Sequence, residues 1–386
     1  MNPSLRFWIG WGTVLTLVFA LVVWGLLRWN LTKYSELVSD RLLLLGELRQ
    51  GAVQEYFATA DAELHFWSTN PDILKSQAAL LAIWDADDLA GQVRRNYVDE
   101  NPSPAGYYLN LEDAGDGSAY SELHRIIHPM ARLFVTERGY YDFFLIGPDG
   151  DVMYSVEKEP DFATNLETGE WKDSGLGLAY RQAKSAREQG GIVLSDMQAY
   201  APSDGDPAMF MATAMHDTTG KFLGVLAFQL PTDHILGIMA YTSGMGETGE
   251  TYLVGQDKLM RSDSRFDDES TVLVQEVDTP TSELALAGER GMAMIDDYRG
   301  VEVMSVYLPM KVGGTQWAVM AEVDRQEIEE LAAKERPAMA APLLFLYGLS
   351  FWSVWYWRGR YLPEDGMPLA DLDLPDGGDS AGFDSQ

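Results

Sequence analysis

A chain of 386 residues, 46% of them hydrophobic, has apolar side chains enough for two or three packed domains, which excludes disorder of the whole. Its 59 acidic and 28 basic residues give a formal net charge of −31. That balance excludes nucleic acid as a partner, because phosphates are bound by clustered Lys and Arg, and the spread carboxylates read first as a solubility device. There is no cysteine, and the five histidines are scattered, so disulfides, thiolate metal sites and cysteine nucleophiles are excluded and neither a cofactor nor a metal is expected.

Between Arg6 and Arg28 the run FWIGWGTVLTLVFALVVWGLL is uncharged and matches the ~20 apolar residues that cross a bilayer. It exceeds the ~7–15-residue core of a signal peptide and no Ala-x-Ala site follows, which favours a retained anchor. Residues 1–29 are therefore expected to hold a cytoplasmic N-terminus and a first transmembrane helix. From Asn30 to about Leu80, Tyr34, Leu37, Val38, Leu42, Leu45, Leu48, Ala52, Tyr56 and Leu64 recur at three- and four-residue steps, which predicts a long helix. Its apolar stripe packs either on its own domain or on a second chain, and a homodimer through this helix stays open. With a loop over 100–119 and a second helix from Tyr120 to Glu137, it makes a helical lead-in spanning 30–138.

Beyond it the period becomes that of strands. Phe143 to Ile146, the turn Pro148-Asp149-Gly150, and Val152 to Val156 predict a hairpin, followed by strands at Ile192 to Ser195, Met209 to Met215 and Leu223 to Leu230. An internal echo follows. Leu145-Ile146-Gly147-Pro148-Asp149 returns as Leu253-Val254-Gly255-Gln256-Asp257, Met153-Tyr154-Ser155 as Met260-Arg261-Ser262, Ile192 to Asp196 as Met292 to Asp296, and Leu223 to Phe228 as Gln316 to Ala321. Each copy is expected to hold two strands, a helical crossover and three strands. Two tandem modules result, 139–241 and 242–336, joined by a helix near Thr232 to Tyr241. The run Ala338 to Trp357 is again uncharged, lies between Lys334 and Arg336 on one side and Arg358 and Arg360 on the other, and ends in Trp352, Trp355, Tyr356 and Trp357, as interfacial aromatics do. A second transmembrane helix over 337–357 and a short, acidic, disordered tail over 358–386 are expected. The flanking arginines give a weak bias that places both termini in the cytoplasm and the large region outside the inner membrane. The expected fold class is α+β: a long N-terminal membrane-proximal helix and two PAS-like mixed sheet modules, bracketed by two transmembrane helices.

Gly139-Tyr140-Tyr141-Asp142-Phe143-Phe144-Leu145, Pro148-Asp149-Gly150, Asp196 with Tyr200 and Pro202-Ser203, Gly249-Glu250-Thr251-Tyr252-Leu253-Val254-Gly255 and Met260-Arg261-Ser262-Asp263-Ser264 share one order and spacing. Over about residues 30 to 336 they resemble the double Cache (dCache, PAS-like) extracytoplasmic sensor domains of bacterial chemoreceptors and sensor kinases. The resemblance implies a small-molecule pocket in the first, membrane-distal module. Its floor would include Tyr154, Asp196, Tyr200, Phe210 and Gln229, under a lid from Glu157 to Lys184 that carries Asp173. Amino-acid-binding members carry an Arg-x-Trp-Tyr motif, a Tyr-x-Asp on the third strand and a closing Asp. Here no arginine occurs between Ser155 and Lys172, the third strand reads Ser195-Asp196-Met197, and Gln229 stands near the last position. An amino acid clamp is therefore not supported, and an aromatic wall with carboxylates suits a cationic or hydrogen-bonding solute.

Each of these residues has a plainer role open to it. Asp196 fits a strand end bonding its own backbone, Tyr154 and Tyr200 fit core aromatics, and Arg261 fits an ion pair with Asp263. His124 and His128 share a helix face, but a third ligand and the His-Glu-x-x-His pattern are missing, which points to packing. Walker, Gly-x-Ser-x-Gly and kinase signatures are absent, so no enzyme is expected. The expected function is a membrane-anchored sensor that relays occupancy through its transmembrane helices to a separate signalling protein. An anchored solute-binding protein for uptake or decoy, and a remnant of a truncated receptor, kinase or cyclase, remain the alternatives.

Overall fold

Helix α1 runs from Pro3 to Thr69 without a break and buries Leu42, Val53, Ala60 and Leu64 of the expected helical stripe and its neighbourhood. The structure, a computed structural model, describes residues 3–85, 88–104, 106–188 and 191–361; the acidic tail expected beyond residue 361 lies outside the described residues. The helix expected to continue to about Leu80 instead stops before Asn70. Asn70 caps a separate helix, α2 (Pro71–Trp84), its Oδ1 accepting from Asp72 N at 2.9 Å, and Pro71 fits the first turn, where no N–H is needed. After α3 (Leu89–Arg94), α4 (Ala119–Arg138) starts at the cap Ser118 and stops at Gly139, whose φ of 73° is the left-handed ending that glycine adopts freely.

The first sheet contains β1 (Asp142–Ile146), β2 (Val152–Ser155), β3 (Ile192–Leu194), β4 (Gln198–Tyr200), β5 (Asp206–His216) and β6 (Phe222–Leu230), with α5 (Gly175–Ser185) as its crossover. Its order is β2-β1-β6-β5-β3, and β4 pairs with β5. Helix α6 (Thr232–Met239) leads to a second sheet of β7 (Glu250–Val254), β8 (Gly291–Asp296), β9 (Glu302–Val312) and β10 (Thr315–Asp324), with α7 (Pro280–Leu286) as crossover and order β7-β10-β9-β8. The echo in the sequence is thus an echo in topology: β1, β6, β5 and β3 correspond to β7, β10, β9 and β8. One element departs. The second module has no full counterpart of β2, because Arg261 N bonds Leu253 O (2.8 Å) but Leu253 N is taken by Ser262 Oγ (3.0 Å), which ends the ladder as an isolated bridge.

Register assigns the two faces of the first sheet, since directly opposed residues of an antiparallel pair point the same way. Leu145↔Tyr154 and Phe143↔Phe228 put Tyr154, Phe143 and Phe228 on one face, against Trp67 of α1 and Phe134 of α4. Asp142↔Gln229, Phe210↔Gln229 and Phe144↔Ser155 put Asp142, Gln229, Phe210, Phe144 and Ser155 on the other. Helix α5 packs on β5 and β6. Gly175 at its start is required by that approach, because a Cβ there would stand 3.0 Å from the Phe210 ring.

The chain divides into two units, residues 35–329 and the described parts of 1–34 with 330–386. After α8 (Arg325–Lys334), α9 (Arg336–Tyr361) and the start of α1 are both long and apolar enough to cross a membrane. Within that unit Thr16 Oγ1 and Tyr347 OH are 2.8 Å apart and the Phe19 and Tyr347 rings 4.5 Å, while Leu17, Leu21, Val22, Leu344 and Phe345 are exposed. Outward apolar side chains over a polar contact between helices suit a hydrocarbon solvent.

Candidate functional site in the first module

Asp142, the first residue of β1, is fully buried and gathers the chain that follows β2. Its Oδ1 accepts from Phe143 N (2.6 Å), Val156 N (2.7 Å) and Glu157 N (3.2 Å), and its Oδ2 from Ser155 Oγ (2.7 Å). Burial pushes its pKa up to about 7. The segment it holds brings Glu157, Lys158, Glu159 and Asp161 to the sheet. Lys158 is buried at φ 56°, its Nζ donating to Val156 O at 3.0 Å, and burial pushes its pKa down to about 7.

Asp161, also fully buried, accepts from Tyr200 OH on Oδ2 at 2.5 Å, while its Oδ1 finds no hydrogen-bond donor among the described residues. Burial pushes this carboxyl up to about 8 and that of Glu157 to about 8. The Tyr200 ring lies against Phe210 at 4.7 Å. Gln229 Nε2 donates to Ser203 Oγ (3.2 Å), Ser203 Oγ to Glu159 Oε2 (2.6 Å), and Tyr141 OH to Glu159 Oε1 (2.6 Å). Gln229 Oε1 is a second buried acceptor with no donor among the described residues. An unpartnered buried acceptor costs about 1–3 kcal/mol, so two on one covered face call for something that donates. With Glu157 and Asp161 pushed up to about 8, these carboxyls hold protons near neutral pH whose place a positively charged donor would take.

Of the residues anticipated as a pocket, Tyr200, Phe210 and Gln229 are brought together here. Tyr154 projects from the opposite face. There His128 Nε2–H donates to Leu109 O (2.6 Å), which fixes the tautomer, and Tyr154 OH donates to His128 Nδ1 (2.9 Å). His124 stacks on His128 at 4.5 Å and donates from Nδ1 to Glu112 O (2.8 Å), so both histidines fasten the loop before α4. Asp173 lies exposed in the turn Glu170–Asp173. Asp196 stands apart, tied to the second module: Arg261 donates from Nε to Oδ1 (3.2 Å) and from Nη2 to Oδ2 (2.9 Å), and Trp317 Nε1 donates to Oδ1 (2.8 Å).

Arg261 was expected to pair with Asp263 and does not. It turns inward to Asp196 and Asp257, over Gly255, whose missing Cβ leaves room for the guanidinium. Asp263 Oδ1 instead accepts from Ser270 Oγ and Thr271 N, each at 2.8 Å. Glu159 and Asp161 were not singled out within the expected lid, and Asp142 stood only among the residues that carry the resemblance. The run Glu157-Lys158-Glu159-Pro160-Asp161 opens the expected lid, and the burial of Lys158 and Asp161 within it follows from contacts distant in sequence. Elsewhere an open groove of about 800 Å³ runs beside α1, with Glu63 accepting from Tyr140 OH at 2.6 Å and pairing with Arg138.

None of the curated proteins compared with the chain matches it. Among solved structures it is similar to the ligand-binding domain of the Pseudomonas aeruginosa amino acid chemoreceptor PctC in complex with GABA (16% identity, TM-score 0.44, covering 74% of this chain and 99% of that one). It is similar also to that of the Pseudomonas fluorescens chemoreceptor CtaA in complex with L-serine (15%, 0.40, 76% and 99%). A third is the ligand-binding domain of the Campylobacter jejuni chemoreceptor Tlp3 in complex with 4-methylisoleucine (12%, 0.44, 76% and 93%). The family model of the Cache domain, in its double form dCache, matches residues 53–332, which is most of the chain. As its segments implied, this chain belongs to the double Cache domain family.

Proposed function

We propose that this protein is a membrane-anchored sensor whose first Cache module binds a small organic cation, such as an amine, outside the membrane. The carrying observation is two buried, donor-less acceptors, Gln229 Oε1 on the sheet face that also presents Tyr200 and Phe210, and Asp161 Oδ1 in the segment that Tyr200 OH ties to that face. An ammonium would donate to both acceptors and lie against the aromatic rings, whose negative faces attract it. It would also replace protons: Asp161, with its pKa raised to about 8 by burial, holds a proton at neutral pH and gives it up when a cation takes its place. In this reading both termini are cytoplasmic, the Cache modules lie outside, and occupancy passes through the membrane helices to a signalling partner. A displacement of about 1–2 Å between packed helices is the usual size of such a step.

The test is a thermal-shift screen of the full chain in detergent against amines, neutral solutes and carboxylates, because a ligand of the native state raises the midpoint. An amine is expected to register, with Asp161→Asn removing the response. A response confined to carboxylates, or one left intact by that substitution, would refute the assignment. Calorimetry in buffers of different ionisation enthalpy is expected to show proton release on binding near pH 7.

A further inference from the structure

The repeat that relates the two modules also relates their interiors. Leu145 corresponds to Leu253, so Asp142 of β1 corresponds to Glu250 of β7. Across the sheet Asp142 faces Gln229 and Glu250 faces Glu322, so Gln229 corresponds to Glu322. Where the first module sets an acid beside an amide, the second sets two glutamates directly opposite each other. Like charges so placed repel. Asp297, from the turn after β8, joins them, and one oxygen from each of Glu250, Asp297 and Glu322 lies within 4.8 Å of the others.

All three residues are buried, at 3%, 6% and 0% exposure. Arg299 offsets part of the charge through Asp297 (2.6 Å) and Asp324 (2.8 Å). The opposed glutamates are held chiefly by hydroxyls: Tyr298 OH donates to Glu250 Oε1 (2.8 Å) and Ser264 Oγ to its Oε2 (3.3 Å), with the Arg265 backbone beside it, while Tyr252 OH donates to Glu322 Oε2 (2.9 Å) and Ser305 stands opposite Glu322 across the sheet. A separate observation points to a missing partner, since Glu322 Oε1, on a side chain with no exposure, has no hydrogen-bond donor among the described residues. A cavity of about 200 Å³, lined by Glu250, Asp263, Ser264 and Arg265, leads to Glu250 from the surface.

We propose that the second module carries a cation site of its own, in which Glu250, Asp297 and Glu322 hold a calcium-type divalent ion. The donors on hand are oxygens throughout, with the hydroxyls of Tyr252, Tyr298 and Ser264 beside them, which suits a hard cation and not a soft one. Magnesium usually keeps several waters and takes one or two carboxylates, so three buried carboxylates with hydroxyls beside them favour calcium. The proposal does not rest on the ligand assigned to the first module.

The experiment takes the full chain in detergent, stripped with a chelator, at about 0.15 M salt so that the diffuse field of surface carboxylates is screened. Calcium at about a hundred times its Kd is expected to shift the unfolding equilibrium roughly 100-fold towards the folded state. Glu322→Gln, which removes one buried charge and keeps the shape, is expected to lose that shift. Asp161→Asn is expected to keep it, so failure here and failure of the amine assignment can be told apart. Terbium in place of calcium is expected to luminesce through the tyrosines Tyr252 and Tyr298 in the unmodified protein and to be displaced by calcium, a readout that needs no variant. Absence of terbium luminescence at the unmodified protein, or a calcium response equal in wild type and Glu322→Gln, would overturn the proposal, the second pointing to a carboxyl that binds only a proton.

Discussion

Asp161 shows how a single buried carboxyl links stability to pH. Burial raises its folded pKa to about 8, so the fold binds its proton more tightly than the unfolded chain does. Its contribution to stability is fully present below the ordinary carboxyl range near 4 and is lost as pH rises through about 8. Asp161→Asn keeps an acceptor for Tyr200 and removes the charge. It is expected to stabilise the unliganded protein on the order of 2 kcal/mol at pH 8 and little at pH 4, in denaturant titrations at both values. His128 runs the other way. Burial lowers its pKa to about 3, so its contribution is present above about 6.5 and lost as pH falls towards 3. His128→Gln, which removes one of two stacked imidazoles that burial keeps neutral, His124 being the other, is expected to make the acid limb of the midpoint-against-pH curve less steep. The sequence shows this only in part: Asp161 sits in a charged run, while the packing role expected of His128 takes its detail from Leu109 O and Tyr154 OH at its ring nitrogens.

Elements carried more of the fold than of the site. Alternation in β1, β5 and β6 and the echoed strand segments make the two sheets readable, because strand faces and repeats are local patterns. The shared sheet face of Tyr200, Phe210 and Gln229 follows from strand alternation, but which side chains of the expected lid turn inward is a matter of distant contacts, so Asp161 and Glu159 were not legible. Asp196 illustrates the same limit from the other side: a strand-end acid became the tie between modules, through the buried Arg261 and Trp317. Arg261→Met is expected to cost about 3–5 kcal/mol, as breaking a buried pair does, and to split one calorimetric transition into two as the modules lose their link. A single transition with unchanged midpoint would show the tie to be dispensable. Gly175→Ala is a second element-scale test. Its new methyl meets Phe210, so α5 must shift, and a loss of about 1–3 kcal/mol is expected together with weaker amine binding.

At the scale of the molecule, two fields act on one chain. The acidic excess behind the formal charge of −31 repels itself, and that repulsion is screened over roughly 8 Å at physiological salt. The two helices long and apolar enough to cross a bilayer would answer to it instead, where a charge is costly and Thr16 with Tyr347 would supply a polar contact between them. The two fields predict different responses. Raising sodium chloride from about 0.01 M to 0.5 M is expected to raise the unfolding midpoint of the Cache modules by screening, with no comparable effect on the membrane-spanning helices, followed by circular dichroism in nanodiscs. The proposed orientation rests on the arginines that flank the two apolar helices and not on the net charge. With both termini inside, a protease added outside sealed right-side-out vesicles cuts within residues 30–336 and leaves a tag on either terminus protected. Protection of the Cache modules and exposure of the tags would invert the topology and, with it, the direction in which a bound amine can signal.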